Sequence, residues 1–206
     1  MRRVILLTLL ALTLPIAAFG SSSVDFTNSG GTLTGTNSGF SLANSTLVAV
    51  NGFNGGGLIT GNNLGSATLT TGALVSGSLQ MGGTFASGGS FTITGNGSNG
   101  LPNGTIFSGS FSGPVTWTLV TLANGTHNYT LTGNLSGVLT GSGASNGVTV
   151  QLTVNTGKGF FNGSVGLSSG DTNVSSGLVT PEPGTLGLLG TGLVGVAGLM
   201  RRKTKA

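Results

Sequence analysis

The chain contains no cysteine, which excludes disulfide bonds, thiolate metal sites and cysteine nucleophiles. It is also poor in charge: only 5% of its residues are Asp, Glu, Lys or Arg, against about 25% in ordinary soluble proteins. Six of its seven cations lie at the two ends, and between residues 21 and 180 only Asp25, Lys158 and Asp171 are charged. A nucleic-acid partner is therefore not expected, because phosphate recognition needs clustered Lys and Arg.

Groups for acid–base catalysis are equally scarce. A Ser/His/Asp triad would have to combine His127 with Asp171, and His127 follows a predicted Asn-Gly turn, where we expect an exposed loop histidine. Paired carboxylates for glycoside cleavage would need Asp25 and Asp171, which stand near opposite ends of the body. We therefore expect no catalytic residue, no metal site and no cofactor, and a role that is not enzymatic.

The first twenty residues have the three parts of a secretory signal. Arg2 and Arg3 are the charged region, residues 4–14 are the apolar region, and Ala18 and Gly20 are small residues before a cleavage site. The pattern predicts a signal peptide at 1–20 that is handled by the secretion translocon and cut by signal peptidase between Gly20 and Ser21. An uncleaved anchor is the alternative.

The C-terminal tail, residues 180–206, joins Pro181-Glu182-Pro183 to an apolar run at 186–200 and a basic cluster at 201–203. A helix of fifteen residues covers about 22 Å, which is short for a hydrocarbon core about 30 Å thick. Snorkelling arginines make a transmembrane helix over 186–200 feasible. Cations at both ends predict that both ends face the cytoplasm before processing and that the body lies outside.

These elements, in this order, resemble the PEP-CTERM sorting signal over residues 180–204. The resemblance implies recognition by an exosortase, an integral membrane enzyme, and delivery to the cell surface or extracellular matrix after membrane anchoring. It assigns recognition to Pro181, Glu182 and Pro183, the membrane stop to 186–200, and the cytoplasmic stop to Arg201, Arg202 and Lys203. The same tail has also been labelled as the C-terminal segment of ice-binding proteins. A permanent single-span anchor and a buried core helix are the alternatives for the apolar run.

The body, residues 21–179, is rich in Gly, Thr, Ser and Asn and favours strands. Apolar residues alternate with Thr in short runs bounded by turn residues, as in half-buried strands. Such runs are Gly31–Gly35, Ser66–Thr71, Ser90–Gly95, Val115–Val120, Asn128–Gly133 and Val148–Val154. We expect one all-β domain, an antiparallel β-sandwich or barrel with a meander of hairpins from about residue 105 to 167. A β-solenoid is the alternative.

The aromatic residues are expected to supply most of the core's bulk. They are Phe26, Phe40, Phe53, Phe85, Phe91, Phe107, Phe111, Trp117, Tyr129, Phe160 and Phe161. Trp117 and Tyr129, together with Phe107, are also candidates for an exposed platform on which a glycan could stack. Asn-x-Ser/Thr triplets in the body mark candidate glycosylation sites.

Five Thr-x-Thr units suggest an ordered-water or ice-binding surface as a further hypothesis. In the sequence these units share no common register, and Thr is in any case a common polar residue on the solvent face of a sheet.

The composition favours a structural or adhesive protein of an exopolysaccharide or biofilm matrix. A nearly neutral surface of Thr, Asn and Ser can hydrogen-bond glycans or other copies of the chain, and weakly charged sheet edges permit self-association. A glycan-binding module is the alternative, and an ice-binding protein is a weaker one.

Overall fold

The computed structural model describes residues 23–175, and most of these residues lie in strands. The thirteen strands are β1 Ser23–Ser29, β2 Thr32–Thr36, β3 Gly39–Asn51, β4 Ile59–Thr70, β5 Leu74–Ser78, β6 Gly82–Phe85, β7 Gly88–Asn96, β8 Asn103–Phe111, β9 Val115–Thr121, β10 His127–Leu139, β11 Gly143–Gly157, β12 Ser164–Gly166 and β13 Ser169–Ser175. A single 3-10 turn occupies Phe53–Gly55. The predicted all-β class is confirmed.

Eight of the strands close into an antiparallel barrel. Going round it, the order is β10, β11, β13, β1, β3, β4, β7 and β8, and β8 pairs with β10 again. The first and last strands are neighbours, with Ser23 opposite Ser175 and Asn28 opposite Gly170. Of the two architectures that the sequence left open, the barrel is the correct one, and the β-solenoid alternative is wrong.

Two branches of the sheet leave the barrel, one from β3 and one from β10. The first half of β3 pairs with β2, which continues to β12, while the first half of β10 pairs with β9, which continues to β6 and β5. Because all pairings are antiparallel and β3 lies four strands from β10 round the barrel, these two strands run in the same direction. Both branches therefore leave the barrel at the same end.

The predicted meander is interrupted between β8 and β9. These consecutive strands do not pair with each other: β8 pairs with Leu135–Leu139 of β10 and β9 pairs with His127–Thr132 of the same strand. β10 has thirteen residues and is long enough to pair with two strands placed end to end along it. The pattern of short hairpins in the sequence does not predict one strand with two successive partners on the same side.

The hydrophobic core, which extends from the barrel into the branches, is filled by the apolar residues of each alternating run. In β9, Val115 and Trp117 are buried while Thr116 and Thr118 are exposed, as the alternation predicts. All of the aromatic residues expected in the core are buried except Phe160, which is 48% exposed. Among the polar residues of the interior, Asn28 donates a hydrogen bond to Ser45 Oγ at 2.7 Å.

Gly65 of β4 lies close against the backbone of β7. Its φ is +148°, and a Cβ at this position would lie 1.9 Å from the carbonyl oxygen of Thr94 in β7. We expect Gly65→Ala to lower the free energy of unfolding by more than about 2 kcal/mol, because both the backbone geometry and the neighbouring strand oppose a side chain.

The measurement is urea unfolding of the purified full chain, followed by the fluorescence of its single tryptophan, which is buried. Gly57→Ala is the matched control: a Cβ there meets nothing within 4 Å and its φ is ordinary, so its effect should stay within about 0.5 kcal/mol. Equal unfolding midpoints for the two variants would contradict the close packing of β4 on β7.

Candidate functional site

Trp117 and Tyr129 lie inside the protein, so the expected sugar-stacking platform is wrong for both residues. Trp117 is 2% exposed and Tyr129 is fully buried, and Phe107 is buried as well. The reason is the alternation itself, because Trp117 lies between Thr116 and Thr118 and shares the inward face with Val115.

These two rings belong to an aromatic cluster at the branched end of the barrel. The Trp117 and Tyr129 rings stack with centroids 4.9 Å apart, and Phe40 packs against Trp117 at 4.6 Å. Phe85 and Phe161 complete the cluster. The five residues come from β3, β6, β9, β10 and the loop before β12, so this cluster joins the branch of β9 and β6 to the barrel.

The polar atoms of the cluster hold the β5–β6 hairpin. Trp117 Nε1 donates to the carbonyl of Leu79 at 2.8 Å, and the Tyr129 hydroxyl donates to the carbonyl of Gln80 at 2.7 Å. The same hydroxyl accepts a hydrogen bond from the Phe161 backbone N–H at 3.1 Å. Tyr129 thus ties the hairpin to the segment that precedes β12.

His127 does not occupy the exposed loop position that we expected. It is the first residue of β10, is only 8% exposed, and stacks on Phe160 with a centroid distance of 4.4 Å. Its Nδ1 lies 3.3 Å from the carbonyl oxygen of Gly159. Asp171 lies on the outer face opposite Gln151, in the cross-strand row of Thr132, whereas His127 is in register with Gly157. His127 and Asp171 are therefore not brought together as a Ser/His/Asp triad would require.

Two Gly-x-Ser-x-Gly runs occur in the body, at 143–147 and 166–170. Ser145 is buried within β11, where its hydroxyl has no hydrogen-bond partner, and Ser168 lies between two strands. A nucleophile elbow is a strand–turn–helix element. Neither run is followed by a helix in the described part of the chain, so neither has that geometry.

A polar furrow crosses the outer face of β10, β11 and β13. Its first row is Thr132, Gln151 and Asp171, and its second row is Asn134, Thr149 and Asn173, each set in direct cross-strand register. Gly133 and Val150 form the floor between the rows, and Thr116 of β9 closes one end together with Pro114, which precedes that strand. The concavity has a volume of about 330 Å³.

The furrow arises because inward-facing residues separate the two rows. Gly133, Val150 and Thr172 are in register with one another and lie one residue away from both rows. A Cβ on Gly133 would meet the ring of Phe111 at 2.6 Å in the interior. The polar side chains on either side therefore stand as two parallel ridges.

The two acidic residues of the described chain meet at this furrow. Asp25 is opposite Asn173 and Asp171 is opposite Thr27, which places both carboxylates on the outer face of adjacent strands. Asn173 Nδ2 donates to Asp25 Oδ1, and Ser175 Oγ donates to Asn173 Oδ1 at 3.2 Å. The two acids lie near opposite ends of the body in the sequence, and no local pattern indicates that β1 and β13 pair.

The environment of Asp171 disfavours its charged form. Burial, followed by repulsion from the Asp25 carboxylate, raises the pKa of Asp171 above its ordinary value of 3.8, against a smaller opposing effect of a backbone hydrogen bond from Thr172. Among the described residues, no group of three or more His, Cys, Asp or Glu side chains is placed to hold a metal ion.

The Thr-x-Thr units pair more regularly than the sequence suggested. Thr116 and Thr118 lie directly opposite Thr132 and Thr130, and Thr68 lies opposite Thr92. The hydroxyls of Thr116 and Thr132 are 2.5 Å apart. Thr68 and Thr92 lie on the outside of the closed barrel, whereas Thr116 and Thr118 lie on the β9 branch, and both surfaces twist with their strands.

The sorting residues and the signal-peptide cleavage site at Gly20 and Ser21 lie outside the described residues, as does the expected transmembrane helix. The segment 179–203 matches the family model described as the PEP-CTERM protein-sorting motif. The chain carries a PEP-CTERM sorting signal. The match contains Pro181, Glu182 and Pro183 as well as Arg201, Arg202 and Lys203.

A PEP-CTERM signal implies an exported protein that exosortase recognises and that is anchored in the membrane before processing. The comparisons with curated proteins and with solved structures gave no match. Within residues 23–175, no helix has the length and apolar character needed to cross a membrane.

The Tyr129 hydroxyl gives a direct test of the aromatic cluster. We expect Tyr129→Phe to lower the free energy of unfolding by about 1–3 kcal/mol, because the Gln80 carbonyl and the Phe161 N–H both lose a partner. Urea unfolding measures the loss, and amide exchange should accelerate at Phe161. Thr68→Val removes an exposed hydroxyl and is the control, with an effect within about 0.5 kcal/mol. Unchanged exchange at Phe161 would show that Tyr129 does not bind this segment.

The raised pKa of Asp171 predicts that the stability of the protein depends on pH. Because folding raises its pKa, the native state holds the proton more tightly, and the resulting stabilisation at low pH is lost as pH rises through the raised pKa. Asp171→Asn should therefore be more stable than the parent at pH 7, by less than about 1 kcal/mol since the group is only partly buried. The difference should vanish at pH 3. Thermal unfolding at both pH values measures it, and a parent more stable at pH 7 than the variant would refute the assignment.

Proposed function

We propose that the chain is a surface or extracellular-matrix protein whose barrel has a structural or adhesive role and no catalytic one. The observation that carries this proposal is the match of residues 179–203 to the PEP-CTERM protein-sorting motif. The signal accounts for export and sorting, and the proposal concerns what the delivered barrel does afterwards.

The outer surface of the barrel supports an adhesive role. Threonine, serine and asparagine side chains occupy its exposed strand positions, and Lys158 is the sole cation among residues 23–175. Such a surface can form many hydrogen bonds between uncharged groups. Electrostatic repulsion between copies is small, because it increases with net charge.

The location of the free strand edges refines the expected self-association. All eight barrel strands have neighbours on both sides, whereas the branches end at β5 and β12. β5 has the uncharged sequence LVSGS, with Val75 67% exposed. An uncharged edge is a site at which another chain can add a strand. Copies of the protein would therefore join through β5 rather than through the barrel wall.

The arrangement of titratable groups supports a non-catalytic role. His127 points into the stack with Phe160, whereas Asp25 and Asp171 lie on the outer face. We do not propose ice binding, because the in-register threonines are divided between the barrel wall and the β9 branch, and an ordered-water lattice needs one flat array that twisted strands do not give.

The proposal is tested in the cells that make the protein. A strain lacking it should form a less cohesive matrix, and the full chain should restore cohesion. The mature protein, taken from the cell surface, should begin near Ser21 and end near Pro181–Pro183 by intact mass and C-terminal peptide. Replacing Pro181, Glu182 and Pro183 together with Ala should leave the chain unprocessed and cohesion unrestored.

Thr68→Val is the matched control, since it changes an exposed residue of β4 that is not part of the sorting signal, and it should be processed and restore cohesion like the parent. A parent chain that still ends at Ala206 would mean that the tail is an ordinary anchor. A correctly processed protein whose loss leaves cohesion unchanged would refute the structural or adhesive role.

A further inference from the structure

We propose that the polar furrow binds a neutral polysaccharide chain, laid across the strands between the two rows of side chains. The inference rests on the proposed surface function for its biological setting, while its chemistry depends only on the furrow. It replaces the stacking platform of Trp117 and Tyr129, which are buried, with a different site on the same barrel.

The size of the furrow suits an organic ligand rather than a bare ion. Its volume of about 330 Å³ is at the lower end of the range of about 300–1,000 Å³ for ligand pockets. A single water molecule or ion fills only about 30 Å³, so a metal ion would leave most of the furrow to solvent.

The shape of the furrow suits an extended ligand. Beyond the residues that line the furrow, the second row continues in register from Asn173 to Asp25 of β1 and Asn51 of β3, so that it follows the curved wall over five strands. With strands about 4.8 Å apart, the row is about 19 Å long. Because the row runs across the strands, a chain lying along it meets one polar side chain at each strand.

The chemistry of the rows suits hydroxyl groups. Amides such as Gln151 and Asn134 offer donors and acceptors side by side, and carboxylates accept hydrogen bonds from paired hydroxyls. Thr149 and Gln151 are exposed and can face a ligand. Asn173 is held between Asp25 and Ser175, so its amide keeps one orientation and loses little entropy on binding. Pro114 supplies an apolar surface at the closed end for the C–H groups of a sugar ring.

The charge of the furrow selects against acidic polymers. Asp171 lines the furrow and Asp25 lies beside it on β1, whereas Lys158 lies beyond the end of β11, seven residues from Gln151. A uronate, sulfate or phosphate in the furrow would meet two carboxylates and no cation. The structure thus favours a neutral glycan.

The test is a titration of the purified ¹⁵N-labelled full chain in detergent micelles, observed by two-dimensional NMR. The probes are neutral hexasaccharides of glucose, mannose or galactose, a hexuronic acid of equal length, and calcium chloride alone. We expect at least one neutral hexasaccharide to give saturable shifts at the amides of Thr132–Asn134, Thr149–Gln151 and Asp171–Asn173, and the hexuronic acid to give none.

The double variant Gln151→Ala/Asn173→Ala should weaken this binding about tenfold, which corresponds to losing two ordinary hydrogen bonds. The matched control is Thr68→Ala/Thr92→Ala, an in-register pair on β4 and β7, which should bind like the parent. Preserved folding of both variants is checked by the dispersion of their amide signals.

Three results would overturn the inference: no saturable shift with any neutral hexasaccharide, equal affinity in the double variant, or tighter binding of the hexuronic acid. Saturable shifts with calcium alone, lost in Asp171→Asn, would also overturn it by assigning the furrow to a cation. Release of new reducing ends would confirm a saccharide site and refute the non-catalytic function instead. Because the titration needs no sorting or processing, its failure is separate from failure of the cell-surface experiment.

Discussion

The pairing of β1 with β13 closes the barrel, and both the core and the candidate site depend on it. It joins residues separated by almost the whole described chain, from Ser23 opposite Ser175 to Asn28 opposite Gly170. On the inner face it completes the layer of Val24, Val174 and Val148. On the outer face it brings Asp25 to Asn173 and so extends the furrow. Contacts of such long range make folding slow, because the loop must close before they form.

Several strands with regular alternation could be predicted from the sequence, whereas β3, which contains register shifts, could not. Runs such as Val115–Val120 and Val148–Val154 keep a period of two, which gave their existence and their buried faces. β3 was missed because Asn44 has a positive φ of 58° and the register shifts between Leu42 and Ser45. A bulge places an extra residue in one strand and reverses the inside–outside pattern beyond it, so β3 reads as two unrelated fragments.

The candidate site was unpredictable for a different reason. Each of its residues occupies an ordinary polar position in an alternating strand, as Thr149 and Gln151 do in β11, and outward orientation followed from the pattern. What makes them a site is the cross-strand order, above all the neighbourhood of β11, β13 and β1. One sequence carries no direct signal for pairing between strands so far apart, whereas the sorting signal is local and could be recognised from contiguous residues.

The scarcity of charge affects the edges and the faces of this fold differently. Charged side chains usually protect free strand edges from pairing with other chains. In this chain, closure of the barrel removes most of the edges, and the short strands β5 and β12 are the ones that end the branches. The outer faces can then remain almost neutral without general aggregation. A neutral face of hydroxyls and amides hydrogen-bonds a neutral polymer without the salt sensitivity of ion pairs. Closure of the barrel thus leaves its faces free to hydrogen-bond a neutral polymer, while the edge of β5 is the place where copies of the chain can join.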